Sequence, residues 1–227
     1  MTGPARFLRQ NCLTLAFGTA FLLTLVGQAF AGCAELNTVL TSADLHPLGC
    51  GEYVLTSDFL VDVTENWQSE FLQFFLFVFG TVWLVQRGSP ESKPLGDIGR
   101  ETDEKQKLGA YATPESPRSA SAGGLRRSLY SNSLGIVMLL IFLLSWLAQS
   151  VTGVVTYNEN QLRELQDPVG WSTYVVSAEF WNRTLQNWQS ELLAVASMVI
   201  LSVYLRQRGS PESKPVGAAH TATGVEG

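Results

Sequence analysis

Four polar side chains interrupt otherwise apolar stretches of this 227-residue chain: Gln28, Glu70, Gln149 and Glu191. Glu70 and Glu191 each follow a tryptophan, Trp67 and Trp188, by three residues. Ionisable residues inside membrane helices are costly to hold and usually functional. Gln28 and Gln149 fall four residues before the outer ends of their apolar stretches, so all four should sit at a similar depth. A Glu–Gln pair in each half would bind a cation or an amine, or relay protons. The plainer reading, and the preferred one, places each Glu at the membrane interface and each Gln in an interhelical hydrogen bond worth about 1 kcal/mol or less.

Other chemistry is sparse. Cys33 and Cys50 fall on the same side of the first apolar stretch and could form a disulfide in an oxidising compartment. Cys12 lies within that stretch, and no cysteine recurs in the second half. A thiol-oxidising membrane enzyme needs a reactive pair such as C-x-x-C, and the chain has none. The only histidines are His46 and His220, which rules out a His-based metal cluster. Phosphate-binding glycine loops and G-x-S-x-G or H-E-x-x-H motifs are also missing. A non-enzymatic protein without a cofactor is expected.

The elements that must position these residues follow from hydropathy. Apolar residues concentrate in four blocks, Asn11–Gly32, Ser69–Val85, Asn132–Gly153 and Ser190–Leu205. Crossing a hydrocarbon core of about 30 Å takes about 20 residues of helix. The first and third blocks suffice directly, and the other two suffice if Trp67 and Trp188 are counted. A core helix of a soluble domain has one apolar face, whereas LGIVMLLIFLLSWLA (134–148) is apolar all round. The pattern predicts an all-α membrane protein with four spans, about 11–32, 67–87, 132–153 and 188–207. The polar stretches 58–70 and 179–191 should extend the second and fourth spans into an outer collar, with Ser57 as an N-cap and Asp58 in the first turn. Trp67 and Trp188 at the outer ends, with Trp83 and Tyr204 at the inner ends, suit interfacial anchoring.

Shifting the chain by 121 residues superimposes its halves without a gap. NWQSE at 66–70 recurs at 187–191, and QRGSPESKP at 86–94 recurs unchanged at 207–215. Nine identical residues at the offset shared by all other matches imply a two-helix unit written twice, as repeats 7–94 and 129–215. Two spans per unit is an even number, so both copies face the same way, unlike the inverted repeats of many transporters. In QRGSP, Arg87 and Arg208 suit the negative end of a helix dipole. Gly88 and Gly209 suit a left-handed C-cap, and Pro90 and Pro211 stop the helix. Nothing in that account explains the identical ESKP. Residues 95–128 and 216–227 lack apolar periodicity and read as a disordered linker and tail.

Orientation follows from Lys and Arg. Thirteen of the 15 flank the proposed inner ends of the spans, and only Arg163 and Arg183 fall elsewhere. That bias places both termini and the linker in the cytoplasm. Cys33–Ser69 holds six acids and no Lys or Arg, which argues against nucleic-acid binding. The competing reading makes residues 1–31 a cleaved signal peptide ending at Ala29-Phe30-Ala31, or makes Cys33 a lipoprotein cysteine. The first span's internal counterpart, 132–153, cannot be a signal peptide and favours a retained helix.

With NWQSE and QRGSPESKP in view, residues 7–215 resemble a family of small bacterial integral membrane proteins known only as a domain of unknown function. The resemblance implies a four-helix protein of the bacterial inner membrane and brings no activity. The expected partners are the lipid bilayer and other membrane proteins or a second copy. Two roles fit: a structural or accessory protein, or a small transporter or channel subunit with Gln28, Glu70, Gln149 and Glu191 lining a polar vestibule.

Overall fold

The computed structural model describes residues 3–225. Among them there are eight α-helices and no strand: α1 (Pro4–Gln10), α2 (Cys12–Ser42), α3 (Cys50–Tyr53), α4 (Ser57–Gly80), α5 (Gly124–Ser131), α6 (Ser133–Arg163), α7 (Trp171–Tyr174) and α8 (Ala178–Tyr204). Two of these, α2 and α6, are long and apolar enough to cross a membrane, with mean hydropathies of 1.7 and 2.2 in their most apolar windows. Each has 31 residues. At about 1.5 Å per residue that exceeds the roughly 30 Å hydrocarbon core. Both helices turn polar past Gly32 and Gly153.

Element boundaries repeat at the offset of the sequence matches. Cys12 and Ser42 bound α2 as Ser133 and Arg163 bound α6, and α3 maps onto α7 end for end. The breaks before α2 and α6 fall at Asn11 and Asn132, whose side-chain amides donate to Phe7 O (2.8 Å) and Ser128 O (2.7 Å). An amide that competes for backbone acceptors favours such a break.

The corners that follow α2 and α6 are built alike. Asn37 Nδ2 donates to Leu48 O (2.9 Å) and its Oδ1 accepts from Leu48 N–H (2.7 Å). Asn158 makes the same two bonds with Val169, at 2.9 and 2.8 Å. One amide thus satisfies both groups of a loop peptide that lacks a ladder partner. Beneath each loop a tyrosine hydroxyl presses on a helical glycine, Tyr53 on Gly32 and Tyr174 on Gly153. Each tyrosine also meets a phenylalanine edge-on, Tyr53 with Phe59 and Tyr174 with Phe180, both at 5.5 Å.

Three expectations need correction. The N-cap of α4 is Thr56, whose Oγ1 accepts from Phe59 N–H (3.4 Å), not Ser57. Ser57 Oγ instead donates to Glu159 of α6 (3.4 Å). Next, α4 ends at Gly80 rather than near 87, because Gly80 and the β-branched Thr81 and Val82 are weak helix formers. The chain leaves through a turn in which Trp83 and Leu84 N–H both bond Gly80 O. Finally, Gly88 and Gly209 are left-handed as expected (φ +88° and +83°) but do not cap helices. They sit in tight turns beyond the helix ends, closed by Ser89 N–H to Gln86 O and Ser210 N–H to Gln207 O. Turns of this kind need a positive φ at their third residue, hence glycine. Arg87 and Arg208 ride on these turns, exposed.

The linker 95–128 carries two short 3-10 turns, Leu95–Asp97 and Gly109–Tyr111. Surface ion pairs accompany them, Lys105–Asp97 at 3.2 Å and Arg127–Asp103 at 3.6 Å.

α4 is the central element. It runs antiparallel to α6 along its length, from Ser57–Glu159 at one end to a shared pocket of Phe75, Phe79, Ser133 and Ile136 at the other. A second face of α4 packs on α8. Replacing Gly32 or Gly153 with Ala should destabilise the fold by about 1–3 kcal/mol, the usual cost of overpacking. Gly27→Ala, where an added methyl meets open space, should not lower the melting temperature in detergent.

Candidate functional site

The polar features of the molecule gather at the seams of α4. On its α8 side, residues related by the 121 shift meet one another. Arg183 Nη2 donates to Asp62 Oδ1 (3.3 Å) and its Nε to Glu65 Oε2 (2.7 Å), and Asn187 donates to Glu65 Oε1 (2.6 Å). Glu65 is the better covered of the two acids, so the Arg183–Glu65 contact carries most of this ion pair. One turn further along, Trp188 Nε1–H donates to Gln68 Oε1 (2.7 Å). Glu70 and Glu191 lie close enough for their charges to interact.

Where α4, α6 and α8 converge, Gln68 is 0% exposed, Gln149 1% and Thr184 0%. The Ser57–Glu159 register brings Gln149 to the level of Gln68. Gln68 Nε2, Thr184 Oγ1 and both ends of the Gln149 amide have no hydrogen-bond partner. A buried polar group left unpaired costs about 1–3 kcal/mol, so this junction spends stability to hold polar atoms between helices. Trp146 fills the space beside it, within 5.7 Å of Trp188 and 5.6 Å of Phe142.

The first half differs at this place. Leu25 stands where Trp146 stands in the second half, and a groove of about 740 Å³ stays open between α2 and α4. Gln28 and Glu70 both line it, with Phe21, Trp67, Phe71 and Phe74 as apolar walls. The structure therefore brings Gln28 and Glu70 together. Of their counterparts, Gln149 is enclosed and Glu191 is half-buried.

Of the aromatic anchors, Trp67 leans on Phe21 (6.3 Å) and Trp83 on Phe79 (4.8 Å), both partly exposed. Tyr204 is exposed beside His220 (5.6 Å). Trp188 is instead an interhelical residue, held by Gln68 and Trp146. Cys33 and Cys50 are bonded, with Cα atoms 5.4 Å apart. α2 runs unbroken through Ala29–Ala31 to reach Cys33. Among the described residues no group of His, Cys, Asp and Glu converges to hold a metal.

At the other end of the seam the two QRGSPESKP segments meet, and the Glu, Ser and Lys of ESKP each acquire a contact. Ser92 and Ser213 accept from the N–H of Gln86 (2.8 Å) and Gln207 (2.9 Å), tying each turn to itself. Lys214, 1% exposed, donates to the carbonyls of Gly88 (2.5 Å), Ala219 (3.2 Å), His220 (3.0 Å) and Ala222 (3.2 Å). An ammonium offers three donors, and a ring of carbonyl oxygens replaces its water. Gly88 N–H donates to Thr223 Oγ1 (2.8 Å) and Gly224 N–H to Ser89 O (3.0 Å). The tail after Pro215 is thus folded onto the first segment. Lys93 plays the local version of the same part, donating to Gly99 O (3.1 Å) and pairing with Glu101 (3.4 Å). Glu91 and Glu212 face each other. Burial, a hydrogen bond with Glu212 and that residue's charge push the Glu91 carboxyl up to about 7.

Sequence reasoning singled out Gln28, Gln149, Glu70 and Glu191 but missed Gln68, Arg183 and Lys214. The one available signal was the unexplained identity of ESKP, which pointed at Lys214.

Fold and site together define an all-helical protein with two helices able to cross a membrane and its polar chemistry gathered at helix seams and in the turns beyond them. The chain belongs to the family described as Domain of unknown function (DUF6766), which matches residues 4–225. Neither a curated protein nor a solved structure matches it.

Glu91 gives a pH dependence of definite sign. Its folded carboxyl, near 7, lies above the ordinary 4.5. Between those values the folded pair binds more protons than the unfolded chain, so its contribution is present in acid and lost as pH rises through about 7. Spin labels on Arg87→Cys and Arg208→Cys should therefore read a short distance at low pH that lengthens and broadens above about 7. Glu212→Gln should flatten that response.

Proposed function

We propose that this protein is a non-enzymatic, multi-pass structural or accessory protein of the bacterial inner membrane. It has four spans, arising from tandem duplication of a two-helix unit, and its termini and linker are cytoplasmic. The observation that carries this reading is the pairing of α4 with α8 at the repeat offset. Arg183 meets Asp62, Glu191 approaches Glu70, and Glu212 meets Glu91. Equivalent residues side by side at three levels are what two same-facing copies of one unit produce. α4 and α8, long enough at 24 and 27 residues but too polar at their outer ends to qualify alone, become spans because each is hairpinned to an apolar partner, α2 or α6.

On this reading the outer collar and the paired QRGSPESKP segments are the parts that other proteins or lipids contact. The collar is stiffened by the Arg183 network and by Cys33–Cys50. The segments form one cytoplasmic platform bound together through Lys214. The alternative, a transporter or channel subunit, has less support. Of the four residues it needs, Gln28 and Glu70 share a groove, while Gln149 is packed between helices.

Reporter fusions at 34, 110 and 225 test the topology. The first should report an external location and the other two a cytoplasmic one; an external linker at 110 overturns the reading. Glu70→Gln with Glu191→Gln in liposome-reconstituted protein should leave ion flux unchanged. A loss of flux would favour the transport alternative.

A further inference from the structure

The longest helix seam in the molecule, α4 against α6, lacks its repeat counterpart. Under the 121 shift α4 corresponds to α8 and α6 to α2, so the counterpart would be α2 against α8. Those two helices share no seam within the chain.

The faces that would form it are uncovered on both helices. Phe75 and Phe79 of α4 meet Ser133, Leu134, Gly135, Ile136 and Leu139 of α6 around one pocket. Their equivalents on α8, Ala196 and Ile200, are exposed, with Leu193 between Gln189 and Ala196 exposed as well. The equivalents on α2, namely Cys12, Leu13, Thr14, Leu15 and Gly18, are all exposed. Gln189 and Ser190 are exposed too, at positions whose equivalents Gln68 and Ser69 are buried. Lipid would satisfy the apolar part of this stripe, whereas Gln189 and Ser190 mark a polar end whose equivalents on α4 are covered by neighbouring helices.

We propose that two copies of the chain associate side by side, α2 of each docking on α8 of the other as α6 docks on α4. This rests on the membrane reading above. Three observations single out a second copy as the occupant. The docking helix is one this sequence already pairs once, so both partners exist on every chain. In a same-facing neighbour, α2 and α8 run antiparallel, as α6 and α4 do. And each chain presents one free α2 and one free α8, so two reciprocal contacts close a dimer with two-fold symmetry and leave no edge for further growth. The partner also covers the Gln189 amide that one chain leaves open.

Cys12, the one free cysteine, makes the test direct. Ser133 and Phe79 share a pocket, and their equivalents are Cys12 and Ile200. Ile200→Cys should therefore give a disulfide-linked dimer on oxidation in membranes. Met198→Cys, on the opposite side of α8, should not, and Cys12→Ser should abolish the cross-link. Failure of Ile200→Cys to cross-link overturns the proposal. So does a monomer of that variant in which Cys12 and the introduced thiol are both consumed, because α2 would then close on its own α8. Independently of any cysteine variant, native mass measurement of the wild type in nanodiscs should read two chains and Ala196→Trp one; a single chain in the wild type overturns the proposal. A cytoplasmic or external result at residue 110 bears on topology alone, so the two readings fail separately.

Discussion

Covering α4 on two sides is the constraint around which the remaining helices are placed. Its N-terminal half bears Asp62, Glu65, Gln68 and Ser69 within little more than two turns, too polar a surface to bury against apolar side chains alone. α6 covers one flank, running antiparallel, and α8 covers the other with the groups those acids need. Arg183 and Asn187 answer Glu65, and the Trp188 indole answers Gln68. Moving α8 by one residue along α4 would break all three contacts together, so the register of the seam is set by polar pairing, with apolar packing filling in between.

The two halves share their local structure and differ in their packing. Corner loops, asparagine clamps, tyrosine–glycine contacts and QRGSP turns recur at the same offset because each is made between residues near one another in the chain. The helix seams do not recur. Trp146 stacks among Phe142, Phe180, Trp181 and Trp188 and joins α6 to α8. Leu25 at the equivalent place fills far less volume, so α2 leaves a groove beside α4. One residue of different size is enough to leave a groove in one hairpin and fill it in the other, since a core left short of volume loses contacts outright.

The turns beyond α4 and α8 bring the two copies of one nonapeptide together and give them unequal work. Lys214 reaches across to Gly88, while Lys93 stays with its own linker. The difference lies in the chain beyond each segment. The tail after Pro215 is free to fold back over Lys214, whereas the linker after Lys93 must travel on to α5. Like carboxyls at Glu91 and Glu212 then stand opposed, and burial together with the facing Glu212 raises the Glu91 carboxyl above its ordinary range.

The sequence by itself determined the helical class, the two helices long enough to cross a membrane, the polar N-terminal extension of α4 and α8, and the left-handed glycines at 88 and 209. Hydropathy, capping and turn preference are properties of neighbouring residues, so they can be read in order along the chain. It misplaced the Thr56 cap by one residue and carried α4 past Gly80, where local preferences are weak. Only the tertiary structure decided that Gln149 is enclosed while Gln28 lines a groove, that Trp188 joins helices, and that Lys214 binds carbonyls from both halves. Those outcomes depend on which faces meet between segments far apart in the chain, and hydropathy read along the chain is the same whichever faces those are.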